Sequence, residues 1–484
     1  MIGTDKKMIG VNELPQGVAD AAGIIVSNET TDKEEKFLQL ASIAFNYRQS
    51  GVMSLHKEEV VLPPSQQEEK EYCSTASLQA LKDVLSEESI PLLKLWLQHC
   101  QDKNKIAHPE IVPTLLGEGI QNKKLQSLIT SCCGKRGEWL SRFNEAWNFS
   151  ANQTEEEQWQ TGSPEQRKSV LKELRITNPD KAREWLQQTW PQEDAATKQD
   201  FLELFSINIS KEDIVFLESL QTDKSKKVKE AAMNLLKHIP ESSIVQKYQQ
   251  VLQQSVSLKK EKTMLGLSSK MVLFFQLPSE ADENILKSGI ELLSNKKEFS
   301  DDEYIIYQLI QSVPPSFWEQ QLGLNPEEII KQFQKDETGK KMIPALVMSV
   351  REFKDERWAA EFVQHNEVFY VDLIPLLSLQ QQDTYSNKFM NEYPENIIQY
   401  ALQRETEWGT ELTKNIFKHT AKNIYQYSRN FYNQHIHLIP DKIAPELEKC
   451  TPSEEYARVT WSNASEYILK LLQLKSQIIQ SFKV

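Results

Sequence analysis

The sequence predicts an all-α fold, a HEAT-like α-solenoid of stacked antiparallel helix pairs, and three observations carry that prediction. Glycine is scarce, at 15 among 484 residues. Sheet-rich and nucleotide-binding α/β folds need glycine in tight turns and phosphate loops, whereas the abundant Gln, Glu, Lys and Leu favour helix. Helix-start signals recur along the whole chain. Finally, residues 170–190 and 216–236 align without gaps at an offset of 46 (216 − 170), within the spacing of HEAT-type repeats.

Taken in order, residues 1–53 read as an N-terminal helical segment. Residues 54–72, "SLHKEEVVLPPSQQEEKEY", are charged, carry Pro63-Pro64 and read as an extended connector or a surface loop. Residues 73–255 read as HEAT-like repeats. Within them "LQSLITSCC" (125–133) is a helix that ends at Gly134, where a left-handed C-cap is wanted. After Gly137 a second helix sets Trp139, Leu140, Phe143 and Trp147 on one face. Ser163-Pro164-Glu165-Gln166 combines a capping serine, proline at the first helical position and glutamine at the third. Asn178-Pro179 supplies cap and proline, and Ser210…Asp213 puts an acid in the first turn. The echo follows: Leu171 falls on Leu217, Leu174 on Leu220, Ala182 on Val228, Arg183 on Lys229 and Glu184 on Glu230.

Residues 256–270, "VSLKKEKTMLGLSSK", read as a seam. "KMVLFFQLP" (270–278) is the one strand-like run, equally readable as a buried helix end. Residues 271–484 form a C-terminal helical block. Its starts are Ser279…Asp282, Asn325-Pro326 and Thr451-Pro452-Ser453-Glu454, and "LVMSVREFKDERWAAEFV" (346–363) repeats the helix–charged turn–helix alternation. The periodicity amounts to roughly twenty helices.

The net charge of −13 argues against sequence-independent nucleic-acid binding, which needs a broad basic face. The lysine clusters at 224–229 and 259–262 read as a solvated helix face and a connector. Five cysteines without a CxxC pair point to a reducing compartment. With neither a signal-peptide core nor 18 consecutive apolar residues, the expectation is a cytoplasmic protein.

The stretch "CCGKRGEWL" (132–140) poses the sharpest chemical question. Its glycine spacing is not that of a phosphate-binding loop and no strand precedes it, so it reads as a bend between helices. The alternative is a basic pocket that holds an acidic ligand or partner between Lys135 and Arg136. Histidines are scattered, and the pair His435 and His437 lacks further ligands at metal spacing. No hydrolase, dinucleotide or kinase signature occurs. The expectation is therefore no enzyme, no metal and no cofactor. Tryptophans 185, 190, 318, 358 and 408 read as inter-repeat core, or as anchors for partner peptides in a groove. The candidate partner-binding residues are Lys135, Arg136, Trp139, Trp318 and Trp358.

Several stretches together resemble an uncharacterised bacterial family, a domain of unknown function. They are "MIGTDKK" (1–7), "GKRGEWL" (134–140), "NEAW" (144–147), "GSPEQRKSVLKELRITNPDKAREWL" (162–186), "VPPSFWEQQLGLNPEEI" (313–329) and "WS…ILKLLQLKSQII" (461–479). The resemblance implies HEAT-like helical proteins, often encoded near MoxR-type AAA ATPases, von Willebrand A-domain proteins and SWIM zinc-finger proteins. It carries over no catalytic residue. The expected function is a protein-interaction scaffold or adaptor, with an AAA ATPase or A-domain protein as partner. Two alternatives remain: an enzyme of unrecognised type with a site in a helical groove, and a nucleic-acid-binding HEAT-like protein.

Overall fold

The computed structural model describes residues 9–50, 63–150, 154–262, 269–277 and 288–483. The expected helix start at Ser279…Asp282 and the motif at 1–7 lie outside these residues. The described chain is mostly helical, and none of its helices is long and apolar enough to cross a membrane. It divides into two compact units, Met1–Ser65 and Gln66–Val484. The division falls inside the connector expected at 54–72.

The first unit contains helices Ala19–Ser27 and Lys33–Ser50. Val18, Ala22 and Leu40 form its small buried centre. Gly17 admits the Tyr47 ring, which would stand 2.8 Å from a Cβ placed there.

The second unit has two hydrophobic cores. One runs from Trp159 to Leu377. The other joins residues 73–133 to residues 374–482. Local chemistry builds the helices much as expected. Ser163 with Gln166 and Asn325 with Glu328 form reciprocal capping boxes, and Asn178 caps helix Pro179–Thr189 by accepting from Lys181 N at 3.1 Å. In the internal echo all three matched apolar pairs, Leu171/Leu217, Leu174/Leu220 and Ala182/Val228, are buried.

Three expectations need correction. The C-terminal helix spans Glu455–Ser481 and begins four residues after the Thr451 cap position, with Glu454 as an N-cap whose side chain caps no helix amide. The seam is a β-hairpin, with β1 Val256–Lys262 antiparallel to β2 Ser269–Phe275 in a register that pairs Val256 with Phe275 and Leu258 with Leu273. Val256 and Leu273 are buried in the first core, so this segment lies within a core and does not divide two blocks. Third, the block boundaries at 73–255 and 271–484 do not follow the cores. Helix Glu455–Ser481 packs on helices Thr75–Ser86 and Ile90–Asp102, and the Phe482 ring sits 5.5 Å from Trp96. A strictly linear stack would leave its first and last helices apart.

Candidate functional site

The stretch that posed the chemical question folds into one element, helix Gln126–Ser141, kinked at Gly134. Gly134 adopts φ 56° and ψ −155°, a combination that a side chain disfavours. The bend expectation holds, although the second half of the helix follows Gly134 directly instead of starting after Gly137. The kink frees successive amides from their helical partners, and the Glu68 carboxylate takes them. Lys135 N donates to Glu68 Oε2 and Arg136 N to Oε1, each at 2.9 Å. Such charge-assisted bonds are among the stronger ones in proteins. A Cβ at position 134 would collide with the same carboxylate.

This clasp gives a direct prediction. Gly134→Ala should cost about 1–3 kcal/mol in denaturant unfolding, from backbone strain and displacement of Glu68. Adding Glu68→Ala removes the collision but not the strain, so the double variant should cost less than the sum of the two singles.

The structure engages most of the sequence-picked residues internally. Lys135 Nζ lies 3.3 Å from Glu138 Oε1, and its backbone amide serves the clasp. Arg136 is half-buried, with an Nε that has no hydrogen-bond partner among the described residues. Trp139 is partly exposed and meets Phe143 edge-to-face at 4.9 Å. Trp318 is fully buried against Phe317 and Phe333. Trp358 is fully buried too, and its indole N–H donates to Glu319 Oε1 at 3.0 Å. Glu319 is also gripped by both terminal nitrogens of Arg357. Burial alone would raise the Glu319 carboxyl, but the bonds from Arg357 and Trp358 hold it below its ordinary range. Trp318 and Trp358 thus offer no ring face to a partner; they are core residues. The structure brings Lys135, Arg136 and Trp139 together on one helix, and sets Trp318 and Trp358 in the other core.

Sequence reasoning missed four features. Glu68 is one, 67 residues from Lys135. A second is the group Glu327, Glu361 and His365, where His365 Nε2 lies 3.2 Å from Glu361 and Nδ1 3.7 Å from Glu327. Lys331 already pairs with Glu327 there, so the group is an ion-pair cluster at the protein surface. The third is a cleft of about 570 Å³ lined by Asp383, Arg404, Trp408 and Lys442. Its Arg404 is committed to Asp383 at 2.5 Å.

The fourth is the outer face of helix Lys33–Ser50. Leu40 faces inward, whereas Leu38 and Phe45, seven residues apart and so on one stripe, are 66% and 65% exposed. Ile24 on the neighbouring helix is 73% exposed. A helix apolar on two faces needs cover on both, and among the described residues this one has it on one. The signal was in "KFLQLASIAFNY" (36–47), where apolar residues occupy nearly every helical direction.

A family model described as a family of unknown function (DUF5691) matches residues 1–482, so the chain belongs to that family. No curated protein and no solved structure matches it.

Proposed function

We propose that this member of the family is a non-enzymatic protein-interaction adaptor, and that the outer stripe of helix Lys33–Ser50 is where a partner docks. The observation that carries the reading is the exposure of Leu38, Phe45 and Ile24 in a unit whose buried apolar side chains, among the described residues, are Val18, Ala22 and Leu40. Exposed aromatic and aliphatic side chains clustered on a small helical unit are the usual anchors of protein interfaces. The partner is a protein of the kind that the family resemblance implies, a MoxR-type AAA ATPase or a von Willebrand A-domain protein. Trp139 with Phe143 offers a second, smaller aromatic edge.

HEAT-like stacking of helix pairs belongs to the same proposal. Helix Ala195–Leu204 contacts both Pro164–Thr177 and Lys226–Leu236, the neighbour-to-neighbour packing that such repeats use, and this supports it. A cytoplasmic setting is supported by five cysteines that are all free thiols.

The test is affinity purification of the tagged full-length chain from its native host, with mass spectrometry of the eluate. Wild type is compared with Leu38→Ser/Phe45→Ser, whose substitutions fall on exposed positions and should leave the thermal melt unchanged. Near-stoichiometric recovery of an ATPase or A-domain protein by wild type, reduced at least tenfold in the variant, is the expected result. Recovery of the chain alone, at low salt and with nucleotide added, would overturn the adaptor reading. Concentration-dependent self-association lost in the variant would show a second copy of this chain on the stripe, and would overturn the partner assignment.

A further inference from the structure

Three of the five cysteines, scattered in the sequence, are gathered in one place. Cys73, Cys100 and Cys132 come from three distant segments: the stretch before helix Thr75–Ser86, helix Ile90–Asp102, and the first half of the kinked helix. Cys73 Sγ stands 3.5 Å from Cys100 Sγ, and Cys132 is buried in the same core. Cys100 Sγ also reaches Lys105 O at 3.2 Å, and Cys132 Sγ reaches Leu97 O at 3.4 Å. The thiols are free.

The two closest thiols are not equivalent. Cys73 directly precedes Ser74, the N-cap of helix Thr75–Ser86, and the positive end of a helix favours a thiolate. The hydrogen bond from Cys100, with Lys105 nearby, holds the Cys73 thiol below its ordinary range. The neighbouring Cys132 and Cys73 thiols, together with burial, push Cys100 the other way, which keeps its proton in place.

We propose that Cys73 and Cys100 form a redox modification site, in which Cys73 reacts with hydrogen peroxide and Cys100 resolves the product to a disulfide. In the first step the Cys73 thiolate attacks one peroxide oxygen. An S–O bond forms, the O–O bond breaks, and the leaving hydroxide takes a proton to become water. In the second, Cys100 gives up its proton and its sulfur attacks the Cys73 sulfenic acid. The S–S bond forms, the S–O bond breaks, and the departing hydroxide leaves as a second water with that proton. Two thiols lose two electrons and the peroxide is reduced.

Contact between the sulfurs at 3.5 Å leaves a closure of about 1.5 Å to reach disulfide bonding distance. The backbone can follow on the Cys73 side, where Cys73 N to Ile106 O at 2.8 Å and Ile106 N to Glu71 O at 3.0 Å form a single bridge outside any sheet. The linkage would tie helix Ile90–Asp102 to the chain five residues (73 − 68) beyond the Glu68 clasp. Buried cysteines that merely fill the core as small apolar groups would do none of this.

The experiment treats the reduced full-length protein with hydrogen peroxide, blocks the remaining thiols and maps the peptides. The expected result is a Cys73–Cys100 linked peptide, with free thiols falling from five to three (5 − 2) and restored by dithiothreitol. Cys100→Ser should stop at a Cys73 sulfenic acid that a 1,3-dione traps, and Cys132→Ser should keep the link. Equal alkylation of Cys73 and Cys100 before and after peroxide would overturn the proposal, as would a Cys100–Cys132 link in its place. The wild-type map decides this even if a variant fails to fold.

Discussion

Asp213→Ala should destabilise the second unit by about 3–5 kcal/mol, the cost of stranding a buried charge. Arg175 and Asp213 are both 0% exposed. Arg175 Nη1 and Nη2 meet Asp213 Oδ1 and Oδ2 at 3.1 and 2.9 Å. Nε of that guanidinium donates to Ile207 O at 2.9 Å, Nη2 also reaches Phe205 O and Asn208 O at 3.1 and 2.9 Å, and its plane lies 4.3 Å over the Phe205 ring. Asp213 further accepts from Arg183 Nη1 at 2.8 Å and from Ser210 N at 3.1 Å. Alanine removes the shared anion and leaves one arginine buried without a counter-charge. Urea unfolding should show a lower midpoint with unchanged slope. The paired change Arg175→Met/Asp213→Leu should cost far less than the sum of its singles, because no stranded charge remains. A loss under about 1 kcal/mol for Asp213→Ala would mean that the anion is dispensable to this hub.

The second large effect is at Trp358. Truncation to alanine should cost about 3–5 kcal/mol by opening a cavity in the first core and releasing Glu319 from its indole donor. Trp358→Phe keeps most of the volume and loses the hydrogen bond, so about 1–3 kcal/mol is expected. Both variants should retain partner capture at temperatures where they are folded, because the ring is buried against Phe362 and faces no solvent. Lost capture with an unchanged melt would return Trp358 to the role of a partner anchor.

What could be read from the sequence divides by range. Capping motifs act within four residues, so the starts at Ser163, Asn178 and Asn325 were legible. The start at Thr451 was not, because Thr451-Pro452 carries the same letters while the helix begins only at Glu455. The bend at Gly134 was legible because a positive φ asks for glycine. Its carboxylate partner was not, since nothing local in "SQQEEKEY" singles out Glu68 among its acidic neighbours. The hairpin was obscured by Lys259, Lys260 and Glu261 in β1, residue types that are depleted in strands. Packing of Glu455–Ser481 on the first helices of its unit leaves no periodic trace, because helical periodicity reports which face is buried and not against what. Large aromatics gave the converse error: tryptophan suits both cores and interfaces, and composition could not tell Trp318 from Trp139.

The central claim is that an adaptor docks its partner through the outer stripe of helix Lys33–Ser50. The most direct measurement is calorimetric titration of the full-length chain with a purified MoxR-type ATPase or von Willebrand A-domain protein from the same host, for wild type and for Leu38→Ser/Phe45→Ser. The account predicts saturable binding with a negative heat-capacity change, as apolar burial requires, and at least tenfold weaker binding by the variant. Equal affinity in the two proteins, or no binding by either, would contradict it.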